Sequence, residues 1–134
     1  MGVVVFDSDV LIGFLNRDDA HHDEAVERVR TSLAPGNRRL VCADNYAEIM
    51  IGPVRAGTQE LVWQMLVQFN VETIIVDTPL ADRAAAIRVR TGLKLPDAFA
   101  LATAIQAEHR GGKDVEMASF DAAVLRAYAN LHPN

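Results

Sequence analysis

Four apolar residues, Val3-Val4-Val5-Phe6, run without a break into Asp7-Ser8-Asp9. An uninterrupted apolar run of this length reads as a strand buried on both faces, as in a parallel sheet. Acids placed straight after it arrive at the strand's C-terminal end, the edge where open α/β sheets hold their ligands. Asp7 is therefore the first candidate for chemistry, and the rest of the chain decides what stands beside it.

The remaining sequence alternates between helical and strand patterns. Residues 10–15 read as a short helix, and 20–33 as a second one with Asp18 or Asp19 as its cap. Residues 40–43 form a second short strand. Asp44 then caps a helix carrying Tyr46, Ala47, Glu48, Ile49 and Met50, which Gly52-Pro53 is expected to break or kink. Residues 58–69 follow as a helix with Leu61, Met65, Leu66 and Phe69 at helical spacing and Trp63 on another face. A third strand covers 71–76. The next helix, 78–90, turns Leu80, Ala84 and Ile87 inward and ends at Gly92. Lys94-Leu95-Pro96 connects it to an Ala-rich helix, 97–109, with Ala98, Leu101, Ala102 and Ile105 as its buried face. A last strand at 115–118 leads through Ser119-Phe120-Asp121 into a final helix ending near Leu131. This alternation predicts an α/β fold: a central parallel sheet of about four to five strands, helices on both faces, and right-handed crossovers.

With 134 residues, half of them hydrophobic, the chain is large enough for one domain over 1–134 and too small for two. No apolar run approaches the ~20 residues that span a bilayer. Met1 leads into a strand without a basic export segment, so a cytoplasmic protein is expected. The single cysteine, Cys42, excludes an internal disulfide and reads as a buried, inert thiol. A net charge of −5 argues against a broad basic surface gripping phosphates. It leaves room for an enzyme whose own acids hold metal ions, since bound cations reverse the local field.

Four acids from four segments can converge at one end of such a sheet: Asp7 after the first strand, Glu48 on the helix after the second, Asp97 at the start of the Ala-rich helix, and Asp121 after the last strand. Like charges brought together cost stability unless something neutralises them, and divalent cations with oxygen ligands are the usual answer. Taken singly, Asp97 and Asp121 also fit helix N-caps, and Glu48 fits a solvated helix position. Asp7 is harder to explain as solvation.

The residues that carry this pattern resemble a known family. Val5-Phe6-Asp7-Ser8-Asp9-Val10-Leu11-Ile12, Ala47-Glu48-Ile49, the segment Leu95-Pro96-Asp97-Ala98-Phe99-Ala100-Leu101-Ala102-Thr103-Ala104, and Ser119-Phe120-Asp121 are similar to the motifs of PIN domains, and more narrowly of VapC-type toxins. Leu-Pro-Asp-Ala is the most specific of these. Ser119 stands where Thr is commoner, and Asp9 where Ser or Asn is commoner. The resemblance implies a three-layer α/β/α domain. It further implies an acidic quartet of Asp7, Glu48, Asp97 and Asp121 binding Mg²⁺ or Mn²⁺, with Asp9 and Ser119 behind it, and endonucleolytic hydrolysis of RNA. The partners it implies are a cognate VapB-type antitoxin and a second copy of the chain in a homodimer, with no membrane.

Basic residues are candidates for holding RNA phosphates: Arg83, Arg88 and Arg90 on one helix, Lys94 just before the Asp97 segment, and the pair Arg38-Arg39. Each also fits an ordinary solvated charge. His21-His22-Asp23-Glu24 looks metal-like, but adjacent helical residues point in different directions. His109 fits a residue compensating a helix C-terminus, and Trp63, Met65 and Leu66 fit core or dimer interface better than a stacking platform. Two other readings compete. Asp7-Ser8-Asp9 also matches the opening of haloacid-dehalogenase-like phosphatases, although the further residues that such enzymes need are poorly supplied. A catalytically silent PIN-like domain that only binds RNA or protein is the other, against which the retention of all four acids argues.

Overall fold

The computed structural model describes residues 2–131, so the expected domain over 1–134 reaches beyond the described residues at both ends. Eleven elements follow one another: β1 (Val3–Phe6), α1 (Ser8–Leu15), α2 (His22–Ser32), β2 (Arg38–Cys42), α3 (Ala43–Ala56), α4 (Gln59–Gln68), β3 (Val71–Ile74), α5 (Thr78–Thr91), α6 (Leu95–His109), β4 (Val115–Ala118) and α7 (Ala122–Asn130). The four strands form one parallel sheet in the order β3-β2-β1-β4. β1 is central, with Val5 paired to Leu40 on one side and Met117 on the other.

Side chains alternate across a strand, and the uninterrupted apolar run of β1 therefore feeds two cores. Val3 and Val5 join Leu40, Cys42, Met117, Leu80, Ala84 and the α6 residues on one face. Val4 and Phe6 join Val41, Val10, Leu11, Ala25, Val29 and Ile49 on the other. The result is the expected three-layer α/β/α architecture. A small third cluster, Met50, Val62 and Leu66, ties α4 to α3. Among the described residues, no helix is long and apolar enough to cross a membrane.

Several local expectations are corrected. α3 runs through Pro53 to Ala56 and stops at Gly57, whose φ of 74° is the left-handed C-cap that glycine favours. The residue before proline normally suffers a Cβ clash in a helix; Gly52 has no Cβ, which lets the helix pass. α2 starts at His22, with Asp19 accepting the His21 N–H at 2.8 Å instead of capping the helix directly. Asp44 lies inside the first turn of α3, and Cys42 holds the cap position. α6 begins at Leu95, which puts Asp97 in its first turn. The whole run from Ala98 to Ala104 is buried, not a single face, because α6 packs against the sheet, α5 and α7. On α4 it is Val62 and Leu66 that are buried, while Leu61 and Trp63 are exposed. β3 ends at Ile74, and Ile75 and Val76 lie exposed beyond it.

Candidate active site

Parallel strands deliver their following residues to one edge, and three helix N-termini meet the acids there. Asp7 caps α1, Asp97 sits in the first turn of α6, and Asp121 caps α7. The positive end of each helix dipole partly offsets the negative charge. Asp7 is buried, at 3% exposure. Its Oδ1 accepts the Ser8 N–H at 2.8 Å, and its Oδ2 accepts the Ser119 hydroxyl at 2.8 Å. Ser119 Oγ in turn accepts the Asp121 N–H at 3.0 Å, while Asp121 Oδ1 accepts the Ala123 N–H at 2.9 Å. Asp9 Oδ2 accepts the Phe120 N–H at 3.0 Å. Asp9 Oδ1 is buried with no hydrogen-bond partner among the described residues.

The charges are coupled. Burial, then repulsion from Asp9 and Asp97, pushes the Asp7 carboxyl up to about 7. Burial also raises Asp9, with Asp121 adding repulsion. Asp97 is raised by burial first, then by Asp121, Glu48 and Asp9, against the opposing charge of Lys94. Asp97 is thus the hub, within electrostatic reach of Asp7, Asp9, Glu48 and Asp121. Among the described residues, no three Asp, Glu, His or Cys side chains are close enough to grip a single ion in this arrangement; the carboxylates are linked by charge and not closed into a cage. The donor set nonetheless fits a hard divalent cation. It consists of carboxylate oxygens, one of them buried without a partner among the described residues, and three of its carboxyls are held above their usual range by burial first and by neighbouring negative charge second.

Glu48 is placed by Asn45, a fully buried residue that sequence reasoning passed over. Asn45 Nδ2 donates to Glu48 Oε1 at 3.4 Å and to the Pro96 carbonyl at 3.1 Å. Flipping the amide would set its oxygen against two acceptors, so both contacts fix its orientation. Asn45 thus joins α3 to the first turn of α6, next to Asp97. The signal available in the sequence was its position three residues before Glu48, on the same helix face.

The family model of the PIN domain matches residues 4–130. The chain belongs to the PIN-domain family. No curated protein matches it. Among solved structures, a toxin–antitoxin complex from Klebsiella pneumoniae aligns with a TM-score of 0.68 at 26% identity, covering 90% of this chain and 87% of that one. VapC20 of Mycobacterium tuberculosis, a toxin that cleaves the sarcin–ricin loop, gives 0.67 at 19% identity, covering 94% and 95% of the two chains. VapBC2 from Rickettsia felis, bound to a DNA fragment from its promoter, gives 0.57 at 15% identity over 86% and 98%. The last two show likeness of fold. The Asp7-Ser8-Asp9 sequence accordingly lies in a PIN domain and not in a haloacid-dehalogenase-like phosphatase.

The candidate phosphate-binding cations of this PIN domain are scattered. Lys94 is exposed and close enough to Asp97 to act on its charge. Arg90 is exposed at the end of α5. Arg88 donates to the Leu93 carbonyl at 2.6 Å. Arg83 contacts His109 at 3.3 Å, at the far end of α6, about 18 Å along the helix axis from Asp97. Arg38 pairs with Glu72 at 2.8 Å. Arg39 is buried and donates to the Ser32 and Phe69 carbonyls at 2.6 and 2.7 Å. Arg38 and Arg39 open β2 and so lie at the sheet edge opposite the acids, where they hold the fold. His22 donates from Nδ1 to the Gly13 carbonyl at 2.8 Å, while His21 stacks on Phe120 with ring centroids 4.7 Å apart. Trp63 donates to the Tyr46 hydroxyl at 2.8 Å. Burial pushes the Cys42 thiol up, in keeping with an inert residue. Beside Glu48 an apolar groove of about 780 Å³ runs between α1, α3 and α4, lined by Ile12, Leu15, Ile49, Pro53 and Leu61.

Proposed function

We propose that this PIN domain is an endoribonuclease, the toxin of a VapBC-type toxin–antitoxin pair, acting on cytoplasmic RNA. One observation carries the reading: carboxylates that follow β1 and β4 and that stand on α3 and α6 are coupled by charge at the C-terminal edge of the sheet, and Asp7, Asp9 and Asp97 among them hold their protons more tightly than usual. An acidic cluster of this kind has little value without a cation. Asp7, Glu48, Asp97 and Asp121 would hold Mg²⁺ or Mn²⁺, which supplies Lewis-acid charge for activating water and stabilising the leaving oxygen. The chain's own groups do the positioning. Ser119 fixes the rotamer of Asp7, Asn45 fixes Glu48, and the Phe120 N–H holds Asp9 so that its free oxygen faces inward.

The partner follows from the same surroundings. Likeness to the Klebsiella pneumoniae toxin–antitoxin complex supports a cognate antitoxin, and the apolar groove leading to Glu48 gives an antitoxin segment a seat from which it can reach the acids. A homodimer is part of the same proposal.

The test is cleavage mapping on total cellular RNA, with and without EDTA, for the wild type and Asp97→Asn. Discrete cuts that need both a divalent metal and Asp97 are expected. RNA left intact by the wild type in the presence of Mg²⁺ and Mn²⁺ would overturn the enzyme reading in favour of a silent binding domain.

A further inference from the structure

An acidic chain that works on RNA needs a way to hold it that does not depend on phosphate charge. Of the candidate cations Lys94 stands beside Asp97, and three others are spent elsewhere. Arg39 is buried in the fold, Arg38 is paired with Glu72, and Arg83 stands at the far end of α6. Next to the carboxylates there is instead an aromatic surface. His21, exposed at the start of α2 and making no side-chain capping bond, stacks on Phe120 at 4.7 Å with 23° between the ring planes. Arg28 approaches the Phe120 ring, its guanidinium carbon 5.9 Å from the centroid.

Phe120 is not a free surface ring. It lies between Ser119 and Asp121, and its backbone N–H is held by Asp9 Oδ2 at 3.0 Å. His21 is close enough for its charge to act on Asp9. The stack is thus fixed within one residue of two groups of the acidic site. One face of the imidazole lies on Phe120, and the residue is exposed. An exposed ring stacked on a second ring and set beside a phosphate-cleaving site is the kind of surface on which proteins take up an unpaired base.

We propose that His21, backed by Phe120 and Arg28, forms a subsite for one unpaired nucleobase of the RNA, adjoining the phosphodiester held at the carboxylates. This rests on the ribonuclease reading. Every base has a π-face, so the subsite favours single-stranded over paired RNA without demanding one base.

The experiment uses a single-stranded RNA oligonucleotide spanning a mapped cut, with 2-aminopurine replacing the base on either side. Binding is read in EDTA as fluorescence quenching, and KM and kcat are read with Mn²⁺, for the wild type, His21→Ala and His21→Phe. His21→Ala is expected to lose the quenching and raise KM roughly tenfold or more, with a smaller effect on kcat. His21→Phe keeps a stacking ring and is expected to restore both. Mn²⁺ affinity and the thermal midpoint of His21→Ala should match the wild type, separating loss of a base contact from displacement of the acids. Unchanged quenching and KM in His21→Ala, or His21→Phe as defective as His21→Ala, would overturn the subsite while leaving wild-type cleavage, and so the ribonuclease reading, intact. A wild type that neither cuts nor quenches sinks both.

Discussion

The Ser119 hydroxyl donates to Asp7 Oδ2 at 2.8 Å across 112 positions of sequence. Ser119 Oγ also accepts the Asp121 N–H, so one serine joins the ends of β1 and β4, orienting the Asp7 carboxylate and holding the Asp121 backbone. Its bond to Asp7 favours the ionised form and opposes the upward push of burial. Ser119→Ala removes that help. The acid limb of the pH–rate profile is expected to move to higher pH, and cleavage near pH 7 to fall roughly tenfold or more, because a cation-binding carboxylate must first lose its proton. Metal-activated rate measured across pH in wild type and variant checks this.

Asp7 itself makes stability depend on pH. Its folded pKa of about 7 lies well above the ordinary aspartate value, so the folded state binds the proton more tightly than the unfolded one. The metal-free protein is therefore most stable below the unfolded value and loses stability as pH rises towards and through 7, by on the order of a few kcal/mol. Asp9 and Asp97 are raised as well and act in the same direction. Urea unfolding in EDTA should show this decline, and Asp7→Asn should flatten it while abolishing cleavage. Adding Mn²⁺ at pH 8 should recover stability in the wild type far more than in Asp7→Asn.

Asn45 offers a test of whether Glu48 must be held. Asn45→Ala leaves the Pro96 carbonyl and Glu48 without their donor, at a cost of about 1–3 kcal/mol. Weaker Mn²⁺ binding and roughly tenfold slower cleavage are expected. Asn45→Asp should be worse, since it sets a carboxylate against a carbonyl oxygen and a second acid. Calorimetric titration with Mn²⁺ alongside rate measurements would show metal affinity and turnover falling together; full affinity in Asn45→Ala would refute the positioning role.

Arg39 separates fold from function. With its guanidinium on one buried and one partly buried carbonyl, Arg39→Ala is expected to lose about 2–4 kcal/mol of stability. The cleavage rate per folded molecule should stay at the wild-type value. Arg38→Ala, which breaks only an exposed pair with Glu72, should cost under about 1 kcal/mol. Chemical denaturation gives the first comparison, and rates scaled to the folded fraction give the second.

Much of this was legible from residue order alone, for a physical reason. A strand buried on both faces has no polar positions, so Val3–Phe6 declared both the parallel sheet and the edge to which Asp7 is delivered. Asp97 and Asp121 stood out because each follows a strand or opens a helix, and Glu48 because it sits one turn into the helix after the second strand. What stayed hidden depended on contacts between distant segments. Asn45 acts through Pro96, 51 residues away. Arg39 reads as a surface charge until the carbonyls of Ser32 and Phe69 are seen to enclose it. Pro53 suggested a break or kink, yet α3 continues through it to Ala56, with Gly52 bringing no Cβ to crowd the proline ring. His21 was discounted as part of an adjacent pair, and only the packing of α2 against β4's exit shows that the two histidines do different things.

The sheet order β3-β2-β1-β4 has a consequence for how such a chain is made. The strand synthesised first waits in the middle for the strand synthesised last, and Asp7 has neither its serine nor its Asp121 neighbour until β4 slides in beside it. A growing polypeptide halted before residue 119 lacks the hydroxyl that orients Asp7. On the proposed reading, cleavage of RNA is thereby withheld from a partly translated molecule until translation of the domain is nearly done.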